Sequence, residues 1–112
     1  VAMHHPPFTA VKSRQGHDTP STPLVPLFEK YKVHAVFCGH DHNYQHHLKN
    51  GIRYLVSGGG GAPLYPTDSP IPGITQQAER VENFLKVSVE GSTAVMEAFR
   101  PDGSSIDKIS LP

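Results

Sequence analysis

This chain of 112 residues has little net charge, no long apolar segment and a single cysteine. Its ten basic and ten acidic side chains cancel, so the composition provides no positive field for a nucleic-acid backbone or an anionic lipid surface. No apolar run approaches the roughly 20 residues of a membrane-spanning helix. Cys38 cannot form an internal disulfide, and its place in an apolar run predicts a small buried side chain.

The length allows one small domain, which should bury about two thirds of its unfolded surface. Apolar residues make up 37% of the chain, and with ten glycines added this share is close to that of ordinary globular domains. The chain opens with Val1 rather than methionine, inside what reads as a strand end. We therefore expect a packed piece of a longer polypeptide.

Histidine chemistry is concentrated at the front of the chain, because all eight histidines precede residue 48. The apolar run 33–38 predicts a buried strand, and Gly39 after it allows a sharp turn at the edge of a sheet. His40 and His42 follow. Imidazole is the commonest neutral metal ligand, and a His-x-His loop can direct both rings to one ion or to two neighbouring ions.

A second apolar start, residues 1–3, leads into His4 and His5. Pro6 and Pro7 then prevent continued ladder pairing, so this strand must end there. Two strand ends that both present histidine should converge on one edge of a sheet. The sequence therefore predicts a histidine metal site at that edge.

At these residues the chain resembles the C-terminal portion of the calcineurin-like metallophosphoesterases, and among them the purple acid phosphatases and their bacterial relatives. Three elements occur in the family's order: His4-His5-Pro6, then Gly39-His40-Asp41-His42-Asn43-Tyr44-Gln45, then Tyr54-Leu55-Val56-Ser57 followed by four glycines. The resemblance implies an α+β fold, a two-sheet sandwich flanked by helices, that is mainly β in this portion. Residues 1–61 would form the metal-site half and residues 62–112 a β scaffold.

The resemblance also implies a site and a reaction, the metal-assisted hydrolysis of a phosphate ester. His4 and His40 would bind one metal ion and His42 its neighbour. The complete enzyme would hold two divalent or trivalent ions, iron, zinc or manganese. His17, in the loop 9–23, occupies a region where relatives place a histidine that faces the phosphate or protonates the leaving group.

Other metal-ligand motifs of the family are absent from this sequence: it contains no Asp-x-His, no Gly-Asp and no Gly-Asn. We therefore expect this chain alone to bind at most one ion, weakly, and to be inactive without the N-terminal half of the domain. A sheet that lacks its partner half should also self-associate. The alternative is a noncatalytic metal-binding or interaction module.

Two other metal folds fit less well. A metallo-β-lactamase-like hydrolase needs Asp-His after the His-x-His pair, where this chain has Asn43 and Tyr44. A cupin needs a glutamate a few residues further on, and none occurs between this pair and Glu79.

The remaining pattern predicts the supporting elements. A short helix at 26–31 should use Leu24, Leu27, Phe28 and Tyr31 to cover the sheet. Further strands are expected at 44–48, 52–57, 84–89, 94–99 and 105–111, with an Asn-Gly turn before the second of them. Asp41 is either a turn residue or a support for a ligand. We expect His46 at the surface and make no prediction of whether His47 is buried. Gly58 to Gly61 should allow close backbone approach beside the site.

Overall fold

The computed structural model describes residues 1–111, and Pro112, the last residue of the predicted scaffold segment, lies outside them. Residues 1–111 form one α-helix and seven strands: α1 (Val25–Lys30), β1 (Ala35–Cys38), β2 (Tyr44–Lys49), β3 (Ile52–Ser57), β4 (Thr75–Glu79), β5 (Phe84–Glu90), β6 (Thr93–Phe99) and β7 (Ser105–Leu111). Two short 3-10 turns, Lys12–Arg14 and Thr22–Leu24, lie in the loop before α1. No helix among these residues is long and apolar enough to cross a membrane.

The first sheet has four strands in the order β1-β3-β2-β4. β1 runs parallel to β3, whereas β2 is antiparallel to both β3 and β4. The predicted hairpin between β2 and β3 is confirmed, and Asn50 and Gly51 at its tip have φ angles of 50° and 78°. Positive φ at both central residues is the backbone of the tight turn that Asn-Gly favours.

The second sheet is an antiparallel meander in the order β5-β6-β7, as the apolar patterns predict. It packs on one face of the first sheet through Ala35 and Leu55 of the first sheet and Met96 and Ile109 of the second, all at most 7% exposed. The expected mainly β sandwich is therefore confirmed. β4 lies in the segment that we expected to be scaffold, yet it pairs with β2 of the first sheet.

Helix α1 packs on the opposite face of the first sheet. Phe28 is buried there with Cys38 and Tyr54. The prediction that Leu27 and Tyr31 share this contact is wrong, since they are 49% and 69% exposed. The helix has six residues and ends before Tyr31, so it covers the sheet with little more than one side chain.

Cys38 is buried, as its apolar surroundings predict. Burial raises the pKa of its thiol to about 12, and the nearby Asp41 adds to this effect. The thiol is therefore protonated and unreactive at neutral pH.

Candidate metal centre

Backbone pairing beside β1 brings the two histidine-bearing strand ends together. Ala2 forms a parallel bridge with Phe37. The amide of Phe37 donates to the carbonyl of Val1 at 2.9 Å, and the amide of Gly39 donates to the carbonyl of His4 at 3.0 Å. This register places His4 beside Gly39, so His40, which follows the glycine, lies next to His4.

Three histidines meet at this edge, and we call His4, His5 and His40 the three-histidine cluster. His4 Nε2 lies 3.1 Å from His40 Nδ1. The His5 ring centroid lies 4.9 Å from that of His4 and 4.4 Å from that of His40. One nitrogen from each ring lies within 4.8 Å of the other two.

His40 adopts a backbone conformation that residues other than glycine rarely take. Its φ is 68°, in the left-handed region, which costs roughly 1–2 kcal/mol for a residue with a Cβ. Such strain persists where the surrounding structure imposes it, and it concentrates at functional sites. The turn after Gly39 uses this conformation to direct His40 towards His4.

Arg14 and Asp41 form an ion pair next to the cluster. Asp41 is completely buried, and its Oδ1 lies 3.2 Å from Arg14 Nε. Arg14 Nη1 also donates to His40 Nε2. Burial lowers the pKa of His40, and the charge of Arg14 lowers it further. His40 is therefore neutral at physiological pH, the form that binds metal ions.

A buried polar network supports the loop that holds these groups. Asp41 Oδ2 accepts hydrogen bonds from Thr9 Oγ1 at 2.5 Å and from Gln45 Nε2 at 3.2 Å. Gln45 Oε1 accepts from the amide of Ala10 at 2.7 Å and from His47 Nε2 at 2.9 Å. The loop before the first 3-10 turn and the loop after β1 are thus joined through side chains of β2.

His47 is the fully buried end of this network. Because Nε2 carries the ring proton and donates it to Gln45, Nδ1 accepts from Thr75 Oγ1 at 3.0 Å, and this hydroxyl in turn accepts from the amide of Ile71. Burial, with a smaller effect of the adjacent histidine, lowers the pKa of His47 to about 4. His47 is a structural residue, neutral at physiological pH.

Of the four glycines after β3, Gly58 and Gly59 allow the predicted close approach, whereas a Cβ on Gly60 or Gly61 would meet nothing within 4 Å, so the prediction is wrong for these two. A Cβ on Gly58 would lie 2.0 Å from the carbonyl oxygen of Asp41. A Cβ on Gly59 would lie 2.5 Å from the carbonyl oxygen of Val81. The end of β3 can therefore pack directly against the backbone of Asp41, next to His40, because Gly58 has no side chain.

His42 and His17 lie outside the three-histidine cluster. His42 Nδ1 donates to the carbonyl of Pro63 at 2.8 Å, and its ring stacks on Tyr65 with centroids 4.3 Å apart. His17 is exposed and lines a cleft of about 130 Å³ together with His5 and His40. The structure thus brings together His4 and His40 of the predicted set, with His17 at the rim.

The prediction that His46 lies at the surface is wrong, since it is 4% exposed. Its Nδ1 donates to Asp107 Oδ2 at 2.8 Å, and its Nε2 accepts from Arg53 Nη1 at 3.1 Å. Tyr44, which is fully buried, donates its hydroxyl to the same Asp107 oxygen. The second sheet covers this side of β2 and supplies the polar partner that makes burial of His46 possible.

Sequence reasoning gave His5 and Arg14 no role at the site. The sequence does contain a signal that would place His5 at the site: it adjoins His4 at a strand end, where Pro6 breaks the alternation of side chains. No such signal exists for Arg14, since the loop that contains it has no periodic pattern that would relate it to His40. Only the folded loop brings the guanidinium to the cluster.

The donor set of the cluster fits a transition-metal ion. It consists of imidazole nitrogens, which suit zinc, copper, nickel and iron, and it contains no carboxylate. In the part of the chain that the structure describes, this is the one group of three metal-binding side chains close enough to share an ion.

Known proteins share sequence and fold with this chain. No protein-family profile matches the chain. The tartrate-resistant acid phosphatase type 5 of rabbit, Oryctolagus cuniculus, is 41% identical over 61 residues, which are 54% of this chain and 18% of that protein. The pig protein of the same name, from Sus scrofa, is 38% identical over the same shares of the two chains. The present chain thus spans well under two thirds of these relatives.

Solved structures show the fold. A purple acid phosphatase from yellow lupin, PPD1, superposes with a TM-score of 0.85 at 21% identity, over 97% of this chain and 24% of that protein. GAP50, described as the anchor in the inner membrane complex of Plasmodium, gives 0.80 at 19% identity, over 95% of this chain and 33% of that one. Vps29 of Entamoeba histolytica gives 0.52 at 17% identity, over 94% and 53%.

The two-sheet fold is that of the calcineurin-like metallophosphoesterases, of which this chain corresponds to the C-terminal portion. Within that class, the sequence match relates it to the purple acid phosphatases.

Proposed function

We propose that this chain is the C-terminal part of a metal-dependent phosphoesterase that hydrolyses phosphate monoesters or diesters. The observation that supports this most strongly is the meeting of His4 and His40. They come from two separate strand ends, and their ring nitrogens lie 3.1 Å apart at one sheet edge. The related proteins from rabbit and pig are acid phosphatases by name.

In the complete enzyme, His4 and His40 would hold one metal ion and His42 a second, the ions being iron, zinc or manganese. The hydrogen bond from His42 Nδ1 to Pro63 supports this assignment for His42, because it fixes the tautomer whose Nε2 lone pair is free. When bound, such ions lower the pKa of a water molecule and stabilise charge on the phosphoryl oxygens.

His17 would serve the substrate rather than the metal. It is exposed at the rim of the cleft that His5 and His40 also line. An imidazole in this place can face the phosphate and deliver a proton to the oxygen of the leaving group.

The chain alone should hold at most one ion, weakly, and should turn over little or no substrate. Two divalent ions a few ångströms apart repel strongly unless a carboxylate lies between them. Within residues 1–111 no carboxylate belongs to the three-histidine cluster, and the nearby Asp41 is paired with Arg14. The missing ligands would come from the N-terminal half of the domain.

Phosphatase assays test this proposal. With p-nitrophenyl phosphate or its bis ester and added Mn²⁺ or Zn²⁺, the isolated chain should show no turnover above that of the metal alone. Supplying the upstream half of a purple acid phosphatase domain should produce turnover. His40→Ala should then reduce it by about three decades or more, the cost of several kcal/mol of lost transition-state stabilisation.

His34→Ala is the matched control for this assay, since His34 is exposed and lies ahead of β1. It should leave the turnover of the joined protein unchanged. Turnover that persists in His40→Ala would contradict the proposal.

A noncatalytic metal-binding or interaction module is the second candidate. It is favoured by the contact of Arg14 with both Asp41 and His40, which occupies the acid and one ring nitrogen of the site. The fold is also shared with GAP50, a protein described as an anchor. A joined protein that binds metal tightly but hydrolyses neither ester would support this candidate.

Self-association of the chain is part of the proposal. Val87 and Val89 pair with β6 residues on the apolar inner face, yet they are 45% and 72% exposed. An uncovered apolar face on an edge strand is a common association surface. Sedimentation should show a dimer or larger assembly that Val89→Lys weakens, and a wild-type monomer at high concentration would refute it.

A further inference from the structure

We infer that His5 is a metal ligand, and that His4, His5 and His40 form a three-histidine site for one transition-metal ion. The inference rests on the proposed function for His4 and His40, and it adds a third donor to which the family resemblance assigns no role. This chain would then assemble a mononuclear site from its own residues.

The geometry of the cluster is close to that of a bound ion. Zinc–nitrogen bonds of about 2.0–2.1 Å in a tetrahedron place the nitrogens roughly 3.4 Å apart. His4 and His40 already present nitrogens 3.1 Å apart. The His5 nitrogen lies within 4.8 Å of both, a gap that side-chain rotation can close because His5 is only half-buried.

The backbone of His5 is held in place by buried neighbours. Its carbonyl accepts a hydrogen bond of 2.6 Å from Ser21 Oγ, and Ser21 is 3% exposed. Pro6, which follows, is fully buried, and its carbonyl accepts from Thr19 Oγ1 at 3.1 Å. The third donor is thus presented by an ordered segment, which lowers the entropic cost of binding an ion.

Arg14 would compete with the ion. Its Nη1 donates to His40 Nε2, so the lone pair is at Nε2 and the ring proton at Nδ1. Coordination through Nε2 displaces Arg14 directly. Coordination through Nδ1 moves the ring proton to Nε2, which then cannot accept from Arg14. Either way the contact breaks, so removing the guanidinium should strengthen metal binding.

The ligand class follows from the donors. Three neutral imidazoles favour Zn²⁺, Co²⁺, Ni²⁺ or Cu²⁺ over Mg²⁺ and Ca²⁺, which prefer oxygen ligands. The fourth coordination position of the ion can face the cleft that His5, His40, Thr9 and His17 line. A water molecule or a small anion fits that position.

Metal titration of the full chain tests the inference without any activity assay. Visible absorption of Co²⁺ reports tetrahedral coordination, and calorimetry with Zn²⁺ gives the affinity. Relative to wild type, His5→Ala, His4→Ala and His40→Ala should each weaken binding at least about tenfold. The exposed control His34→Ala should bind as wild type. Arg14→Met should bind several-fold more tightly.

The outcomes separate this inference from the proposed function. If His5→Ala binds as tightly as wild type while His4→Ala and His40→Ala weaken binding, His5 is not a ligand. The assignment of His4 and His40 as ligands then stands. If the wild type binds neither metal, or if His40→Ala binds as it does, the three-histidine site is overturned, whereas the proposed function is decided by the turnover of the joined protein and of its His40→Ala variant. Circular dichroism of each variant checks that a loss of binding is not a loss of fold.

Discussion

Replacing His47 by glutamine should remove a large part of the acid sensitivity of the fold. His47 is completely buried, and burial lowers its pKa from 6.5 to about 4. The folded chain therefore keeps the ring neutral, whereas the unfolded chain binds a proton below pH 6.5. The resulting contribution to stability is complete above pH 6.5 and is lost as the pH falls towards 4.

The size of the effect follows from the pKa difference. At about 1.4 kcal/mol per unit, lowering the pKa from 6.5 to about 4 corresponds to roughly 3 kcal/mol between neutral pH and pH 4. This is a large fraction of the about 5–15 kcal/mol that stabilises a typical domain. Glutamine does not titrate, and its amide can still donate to Gln45 Oε1, the acceptor that His47 Nε2 uses.

Urea unfolding followed by far-ultraviolet circular dichroism measures this, since the chain contains no tryptophan. The free energy of unfolding should fall between pH 7 and pH 4.5 by about 2.5 kcal/mol more in wild type than in His47→Gln. His34→Gln, at an exposed histidine, should behave as wild type. Equal pH dependence of His47→Gln and wild type would refute the assignment of a neutral buried ring.

Three further tests probe the packing around the site and the burial of Cys38. Gly58→Ala places a Cβ 2.0 Å from the carbonyl oxygen of Asp41 and should cost about 3 kcal/mol or more, whereas Gly60→Ala, with nothing within 4 Å, should stay within about 0.5 kcal/mol of wild type. Equal melting of the two would contradict this. Thr9→Val removes a donor to buried Asp41 and should cost about 1–3 kcal/mol, while Thr9→Ser should restore most of it. Cys38 should resist thiol reagents at pH 8 until urea unfolds the chain, and rapid labelling of folded protein would contradict its burial.

Those parts of the fold with a local signal could be predicted from the sequence. The apolar runs mark β1, β5 and β6, and Asn50-Gly51 marks the turn between β2 and β3. The convergence of His4 with His40 could be predicted as well, because each follows an apolar strand end. Each of these signals lies within a few neighbouring residues, even though the convergence itself joins histidines that are 36 residues apart.

Other parts depend on distant partners. β4 has the polar sequence Thr-Gln-Gln-Ala-Glu and joins β2 through backbone pairing, so no apolar pattern marks it. The burial of His46 depends on Asp107, which lies 61 residues further along the chain. The place of Arg14 depends on the fold of a loop without periodic pattern. Short-range patterns contain no information on such contacts.

Nuclear magnetic resonance of the histidine ring nitrogens during Zn²⁺ titration would show whether a metal ion binds at the edge of the first sheet. We expect large shifts of the coordinating nitrogens of His4 and His40, with His34 and His47 unchanged. Shifts confined to other histidines, or none at millimolar Zn²⁺, would contradict it.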